Sequence, residues 1–319
     1  MCRTNRSKFN HAFVSLYISL GVLGYQPISA SILDTPKSSA NRLKSDRTAS
    51  MTFQLSEKQL EDYQKDGYLS PLTAYDQSET KKLRQEFEEF EKRFGGIEKA
   101  VAFRADLHLL QRWAWDVVTN PRIVDPITSV LGPNVLLWST NWFIKESRDS
   151  KIVSFHQDAN YWGLEPHNVA TVWLALSDAH EESGPMSFVP GSHLEELYTH
   201  TNTFAENNLL SRGQEVNRTI DEKTCRSAPL DSGQMSIHHI RTIHGSGPNL
   251  SEDRRIGMVL RYCATNVRQT KGEDTAILVS GTDDFGHFQL LEKPDQDFGE
   301  KETAAHKDAV AKLGHIIMS

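Results

Sequence analysis

The chain has 319 residues, 38% of them hydrophobic and 24% charged, with a formal net charge of −7. That length and composition fit one large globular domain, or two small ones, with a substantial core. No basic stripe accompanies the acidic balance, which argues against nucleic acid as a partner, and three cysteines without a CxxC exclude a disulfide framework and a thiolate zinc site.

Residues 1–11 carry three basic residues and no acid, the apolar run Ala12–Gly24 follows, and Ile28-Ser29-Ala30 resembles a small-residue cleavage site. The pattern predicts a targeting segment, with a secretory signal favoured and organelle import left open. The run is too short for a stable membrane span, and no other stretch supplies one. Residues 31–50 are polar and aperiodic and read as a disordered linker. Residues 1–50 are therefore expected to be targeting segment and linker, and 51–319 a single domain. Two glycosylation sequons occur, Asn217-Arg218-Thr219 and Asn249-Leu250-Ser251.

Ser56 and Gly67 bracket a short helix, and residues 77–93 form a charged helix with its leucine and phenylalanines on one face. Two more helices are expected over 107–119 and 122–131, the second stopped by Gly132-Pro133. Short β-type runs follow at 134–145, 152–156, 169–176, 186–189, 234–240 and 255–264, separated by turn-rich stretches. Residues 203–212 read as a helical insertion, 276–281 as a further strand and 300–313 as a final helix. Helices first and strands afterwards predict an α+β domain, helices packed on a sandwich or barrel whose core spans about 134–266.

His156-Gln157-Asp158 puts two metal-binding side chains two residues apart, on one face of a strand. With thirteen histidines in the chain, that pattern alone is weak. His244, in the run HGSGPN, supplies a third ligand type. Two imidazoles and one carboxylate form the facial triad of non-heme iron oxygenases. Eleven residues after His244 stands Arg255, at the start of an apolar strand. An unpaired charge entering a barrel is costly, and a guanidinium grips a carboxylate in bidentate fashion. Arg254 competes for that role, because alternation decides only which of the two faces inward. His238 and His239 are alternative third ligands, but eleven residues beyond them stand Asn249 and Leu250, neither of which binds a carboxylate. Lys145 faces either an anion or solvent. Tyr161, Trp162 and Trp142 either line a substrate pocket or pack at the barrel mouth.

Taken together, DGYL at 66–69, FIK at 143–145, HQD at 156–158, VWLALSDA at 172–179, VPGSH at 189–193, HGSGPN at 244–249, Arg255 and Arg261-Tyr262 resemble the phytanoyl-CoA dioxygenase family of Fe(II)/2-oxoglutarate-dependent oxygenases. The resemblance covers roughly residues 53–290. It implies a double-stranded β-helix, a jelly-roll or cupin-like barrel flanked by helices. It implies His156, Asp158 and His244 as ligands of Fe(2+), Arg255 with Ser246 as the clamp on the distal carboxylate of 2-oxoglutarate, and Trp173 and Gln157 lining that co-substrate. O2 would take the remaining metal position, and a small-molecule substrate would be hydroxylated with release of succinate and CO2. Family halogenases replace the ligand aspartate with a small residue, so Asp158 favours hydroxylation. The rival readings are a non-catalytic jelly-roll binding protein and a structural metal site closed by four protein ligands.

Overall fold

Ser56 caps α1 (Glu57–Asp66) through a reciprocal hydrogen-bond box with Gln59, and Gly67 ends it in the left-handed conformation at φ 80°. These elements come from a computed structural model that describes residues 53–221 and 223–319; the targeting segment and linker expected over 1–50 lie outside them. Asp76 and Glu79 repeat the box at the start of α2 (Gln77–Arg93), whose Phe87 and Phe90 lie three residues apart on its buried face. Phe87 stacks on Trp142 at 3.9 Å, and a fully buried phenyl contributes roughly 1.5–3 kcal/mol. Trp142 is thus packing beneath α2, which settles one of the alternatives left by the sequence.

The helix expected over 107–119 is broken. Leu107–Leu109 is a 3-10 turn, Gln111 is extended, and α3 (Arg112–Val118) begins after it. The Asp106 carboxylate accepts from the backbone N–H of Thr140 at 2.7 Å, and that bond ties the turn to the neighbouring strand. Asn120 caps α4 (Pro121–Leu131) with proline at its first position, and α5 (Glu300–Met318) closes the chain. No helix among the described residues is long and apolar enough to cross a membrane.

The strands of the two main sheets are β1 (Tyr68–Thr73), β2 (Val135–Lys145), β3 (Val153–His156), β4 (Val169–Ala175), β5 (Met186–Phe188), β6 (Arg226–Ala228), β7 (Gln234–His239), β8 (His244–Ser246), β9 (Arg255–Ala264), β10 (Thr275–Ser280) and β11 (Gln289–Leu290). The larger sheet runs β1-β7-β4-β9-β2-β10-β11 and the smaller β3-β8-β5-β6. Every residue of β9 is buried. Ile256, Met258, Leu260 and Tyr262 pack with the helices, while Arg255, Gly257, Val259 and Arg261 point into the barrel. Across the barrel, Tyr68 stacks on Phe188 at 4.4 Å, and Trp173 and Val259 pack with Met186 and Phe188. The result is the expected α+β jelly roll with helices on one side.

Two further expectations need correction. The barrel reaches beyond 134–266, because β1, β10 and β11 extend its larger sheet. β1 was hidden by Pro71, which an edge strand tolerates. Residues 203–212 are not helical: His200–Asn202 and Gln214–Val216 pair as a hairpin, and polar side chains hold the intervening loop. Thr203 Oγ1 donates to Gly213 O and Asn208 Nδ2 to Ser154 Oγ, so the loop is tied to the hairpin and to β3 instead of winding on itself.

Candidate metal centre

β3 ends at His156, and the chain turns at Asp158 (φ −60°, ψ −34°) into a one-turn helix, Ala159–Trp162. The two residues therefore do not share one strand face, as the spacing had suggested. The turn still returns the carboxylate, leaving Asp158 Oδ1 3.3 Å from His156 Nε2. β8 pairs with β3 so that His244 sits directly opposite His156, and their rings lie 4.3 Å apart. His244 Nε2 is 4.0 Å from Asp158 Oδ2. One donor atom from each of His156, Asp158 and His244 falls within 4.8 Å of the others, and all three residues are buried.

The remaining ring nitrogens fix the tautomers. His156 Nδ1 is 2.9 Å from Ser154 O, and His244 Nδ1 is 2.9 Å from Thr242 O. A carbonyl only accepts, so each Nδ1 carries the proton and each Nε2 turns a lone pair inward, the usual outer support of a metal-bound imidazole. Burial alone would raise the pKa of Asp158. The imidazoles of His156, His238 and His244 around it outweigh burial and hold the carboxyl well below its ordinary range. Burial pushes His244 well down, so it is neutral. Neutral imidazoles and an ionised carboxylate are the forms a metal requires. Two imidazoles, one carboxylate and no fourth member in the set fit a ferrous ion with open positions better than a closed structural site. His238 stands beside the set but outside it, its Nε2 3.8 Å from Asp158 Oδ2.

A second cluster sits at the start of β9. Arg254 points outward, bonding Glu91 at 2.7 Å and Glu146 at 2.6 Å. Alternation then turns Arg255 inward, 1% exposed and with no carboxylate in salt-bridge reach among the described residues. Its guanidinium lies 5.1 Å from the centre of the Trp173 ring and donates to Gly184 O at 2.5 Å, while its Nε has no partner. Trp173 can lie there because residue 257 is glycine: a Cβ at that position would come within 2.1 Å of the indole. Opposite Arg255 in the β2–β9 register is Lys145, fully buried, whose Nζ donates to Ser246 Oγ at 2.6 Å and also to Gly247 O. Burial pushes the Lys145 ammonium down to about 6, and the charge of Arg255 adds to the effect. Burial also disfavours the charge on Arg255, but a guanidinium keeps its proton. A buried guanidinium beside a buried lysine amine that can take up a proton forms a receptor for a carboxylate.

The sequence left Lys145 undecided between anion and solvent; its inward parity with Arg255 was the available signal. Gln157, expected to line the co-substrate, is instead engaged by the fold. Its amide donates to Arg241 O at 2.8 Å and accepts from the Tyr198 N–H at 3.0 Å, bracing the backbone behind His156. Trp162 belongs to a cluster with Trp138, and Tyr161 packs edge-on against His200.

The family model described as phytanoyl-CoA dioxygenase matches residues 63–257. A probable alpha-ketoglutarate-dependent hypophosphite dioxygenase of Stutzerimonas stutzeri is 29% identical over 203 residues, 60% of this chain and 69% of that protein. The peroxisomal phytanoyl-CoA dioxygenase of Homo sapiens is 22% identical over 174 residues, 53% of this chain and only half of its own length. Among solved structures, the apo form of the non-heme monooxygenase ThoJ is 33% identical with a TM-score of 0.73, covering 81% of this chain and 97% of ThoJ. CytC3 with Fe(II) and alpha-ketoglutarate, 21% identical with a TM-score of 0.57 over 78% of this chain and 97% of its own, shares the fold. The molecule is an oxygenase dependent on Fe(II), 2-oxoglutarate and O2, and the chain belongs to the phytanoyl-CoA dioxygenase family.

Proposed function

We propose that the chain hydroxylates a small molecule with release of succinate and CO2. His156, Asp158 and His244 would hold the ferrous ion, and Arg255, Lys145 and Ser246 the distal carboxylate of 2-oxoglutarate. When bound, ion and diacid together activate O2, one oxygen atom leaving in succinate and the other in the hydroxylated product. Arg255 and Lys145 orient the diacid, and Trp173 packs beside the guanidinium and keeps water from that charge. The Ser154 and Thr242 carbonyls hold both imidazoles in the metal-binding tautomer. No side chain is required as a general acid or base. The reading rests on one observation: a buried His-Asp-His set shares its barrel with a buried guanidinium and a buried lysine amine that have no carboxylate against them among the described residues.

The test is coupled turnover. Purified protein with Fe(II), 2-oxoglutarate and a panel of small molecules should release succinate in step with one hydroxylated product. Substrate-independent silence across a broad panel, with iron bound, would favour the non-catalytic binding protein. A second expectation concerns protons. Lys145 is depressed from its ordinary 10.5 to about 6, so above pH 6 the free site holds it mostly uncharged. A bound carboxylate favours the ammonium and draws a proton in. Affinity for 2-oxoglutarate should therefore fall as pH rises above 6, by up to about tenfold per unit. Titration calorimetry at pH 7.5 in two buffers of different ionisation heat should read uptake approaching one proton; zero uptake would rule out the coupling.

A further inference from the structure

The roles assigned so far leave three inward polar residues unused. The register places them in one row: His238 of β7 opposite Thr171 of β4, Thr171 opposite Arg261 of β9, and Arg261 opposite Ser139 of β2. His238, Thr171 and Arg261 alternate with Ile237, Val172 and Leu260, which pack toward the helices, so the row faces the barrel interior. All four residues are buried. The row adjoins the metal set, since the His238 ring is 4.4 Å from that of His244 and His238 Nε2 is 3.8 Å from Asp158 Oδ2.

The row is short of partners. Arg261 donates one Nη to Ser139 Oγ at 3.1 Å and lies 4.8 Å from the centre of the Trp162 ring. Its Nε, Thr171 Oγ1 and both ring nitrogens of His238 have no hydrogen-bond partner. No carboxylate lies in salt-bridge reach of Arg261 among the described residues. Asp158 belongs to the metal set, and Asp106 accepts from Thr140 N–H, its carboxyl pushed up by burial to about 7. Burying several adjacent polar atoms unpaired is expensive, and so is a buried guanidinium on which Asp158 and Asp106 act only from beyond contact. A guanidinium only donates, and the hydroxyl and imidazole can donate beside it. The complement of such a row is an oxyanion. It is separate from the Arg255 clamp: the two arginines are six residues apart along β9, about 20 Å of strand.

We propose that Arg261, Thr171 and His238 form the substrate subsite, and that the molecule hydroxylated here bears an oxyanion group, carboxylate or phosphorus oxyacid, held beside the metal. This rests on the oxygenase reading above. The experiment titrates protein loaded with nickel(II), which does not turn over, in saturating 2-oxoglutarate so that the Arg255 end is filled. Phenylacetate and benzylphosphonate are compared with uncharged phenylacetamide by calorimetry. At least one anion should bind about tenfold or more tighter than the amide, and which one it is distinguishes carboxylate from phosphorus acid. Arg261→Met should abolish that preference while changing the affinity for 2-oxoglutarate by less than about threefold. Equal binding of anions and amide to the unaltered protein, or a preference that survives Arg261→Met, would overturn the subsite. If Arg261→Met does not fold, the near-isosteric Thr171→Val decides: weaker anion binding supports the row and unchanged binding overturns it. Failure of the unaltered protein to bind 2-oxoglutarate at all would instead overturn the oxygenase reading.

Discussion

Alanine at position 244 is expected to abolish iron-dependent succinate release. His244 supplies one of only three donors in the metal set, so two would remain. Loss of a residue that merely supports a ligand costs ten- to hundredfold in metal affinity or activity, and loss of the ligand itself should exceed about a hundredfold. The ring also packs against His156 and His238 at 4.3 and 4.4 Å, so the substitution opens a small void as well. Metal-dependent stabilisation separates the two effects, because a metal that binds only the folded chain raises its melting temperature by an amount that grows with the logarithm of its affinity. The unaltered protein should melt higher with added metal, and His244→Ala should not. A His244→Ala protein that still takes up one equivalent of iron and releases succinate would dismiss the residue as a ligand.

Arg255→Ala should leave metal binding intact and weaken 2-oxoglutarate binding by roughly a hundredfold or more, since truncating one member of a buried charge pair typically costs 2–5 kcal/mol. The free protein offers an independent reading. Arg255 is buried over Trp173 without an anion, and removing an uncompensated buried charge relieves a desolvation cost. The variant should therefore be no less stable than the parent when free, and clearly less stable than it when 2-oxoglutarate is present. Arg255→Lys, which keeps a charge but loses the two-pronged geometry, should fall between them. Unchanged affinity in Arg255→Ala would remove the residue from the clamp.

Much of this was legible in the chain because side chains on strands alternate. The parity of Arg254 and Arg255 left two options, and the ion pairs of Arg254 with Glu91 and Glu146 decide between them. Those partners lie 163 and 108 residues away in sequence, so no local pattern reveals them. The same holds for Lys145 and for the row through His238: which face is inward depends on pairing with strands far along the chain. Asp158 was placed on a strand it does not belong to, and it reaches the site because one turn of helix follows. Gln157 was read through resemblance alone, and the backbone groups that occupy its amide are 41 and 84 residues distant.

Asn249 is fully buried, its Nδ2 donating to the carbonyls of Lys145, Glu146 and Asp253 while its Oδ1 accepts from Ser251. Those bonds fasten the end of β2 to the loop that leads into β9, and so set the mouth of the Lys145–Arg255 pair. An oligosaccharide on that nitrogen would replace one of its two hydrogens, disrupt the carbonyl contacts and have no room around a fully buried side chain. During passage through a glycosylating compartment, chain closure and sugar transfer at Asn249 would thus be mutually exclusive, whereas the exposed Asn217 could accept a sugar after folding.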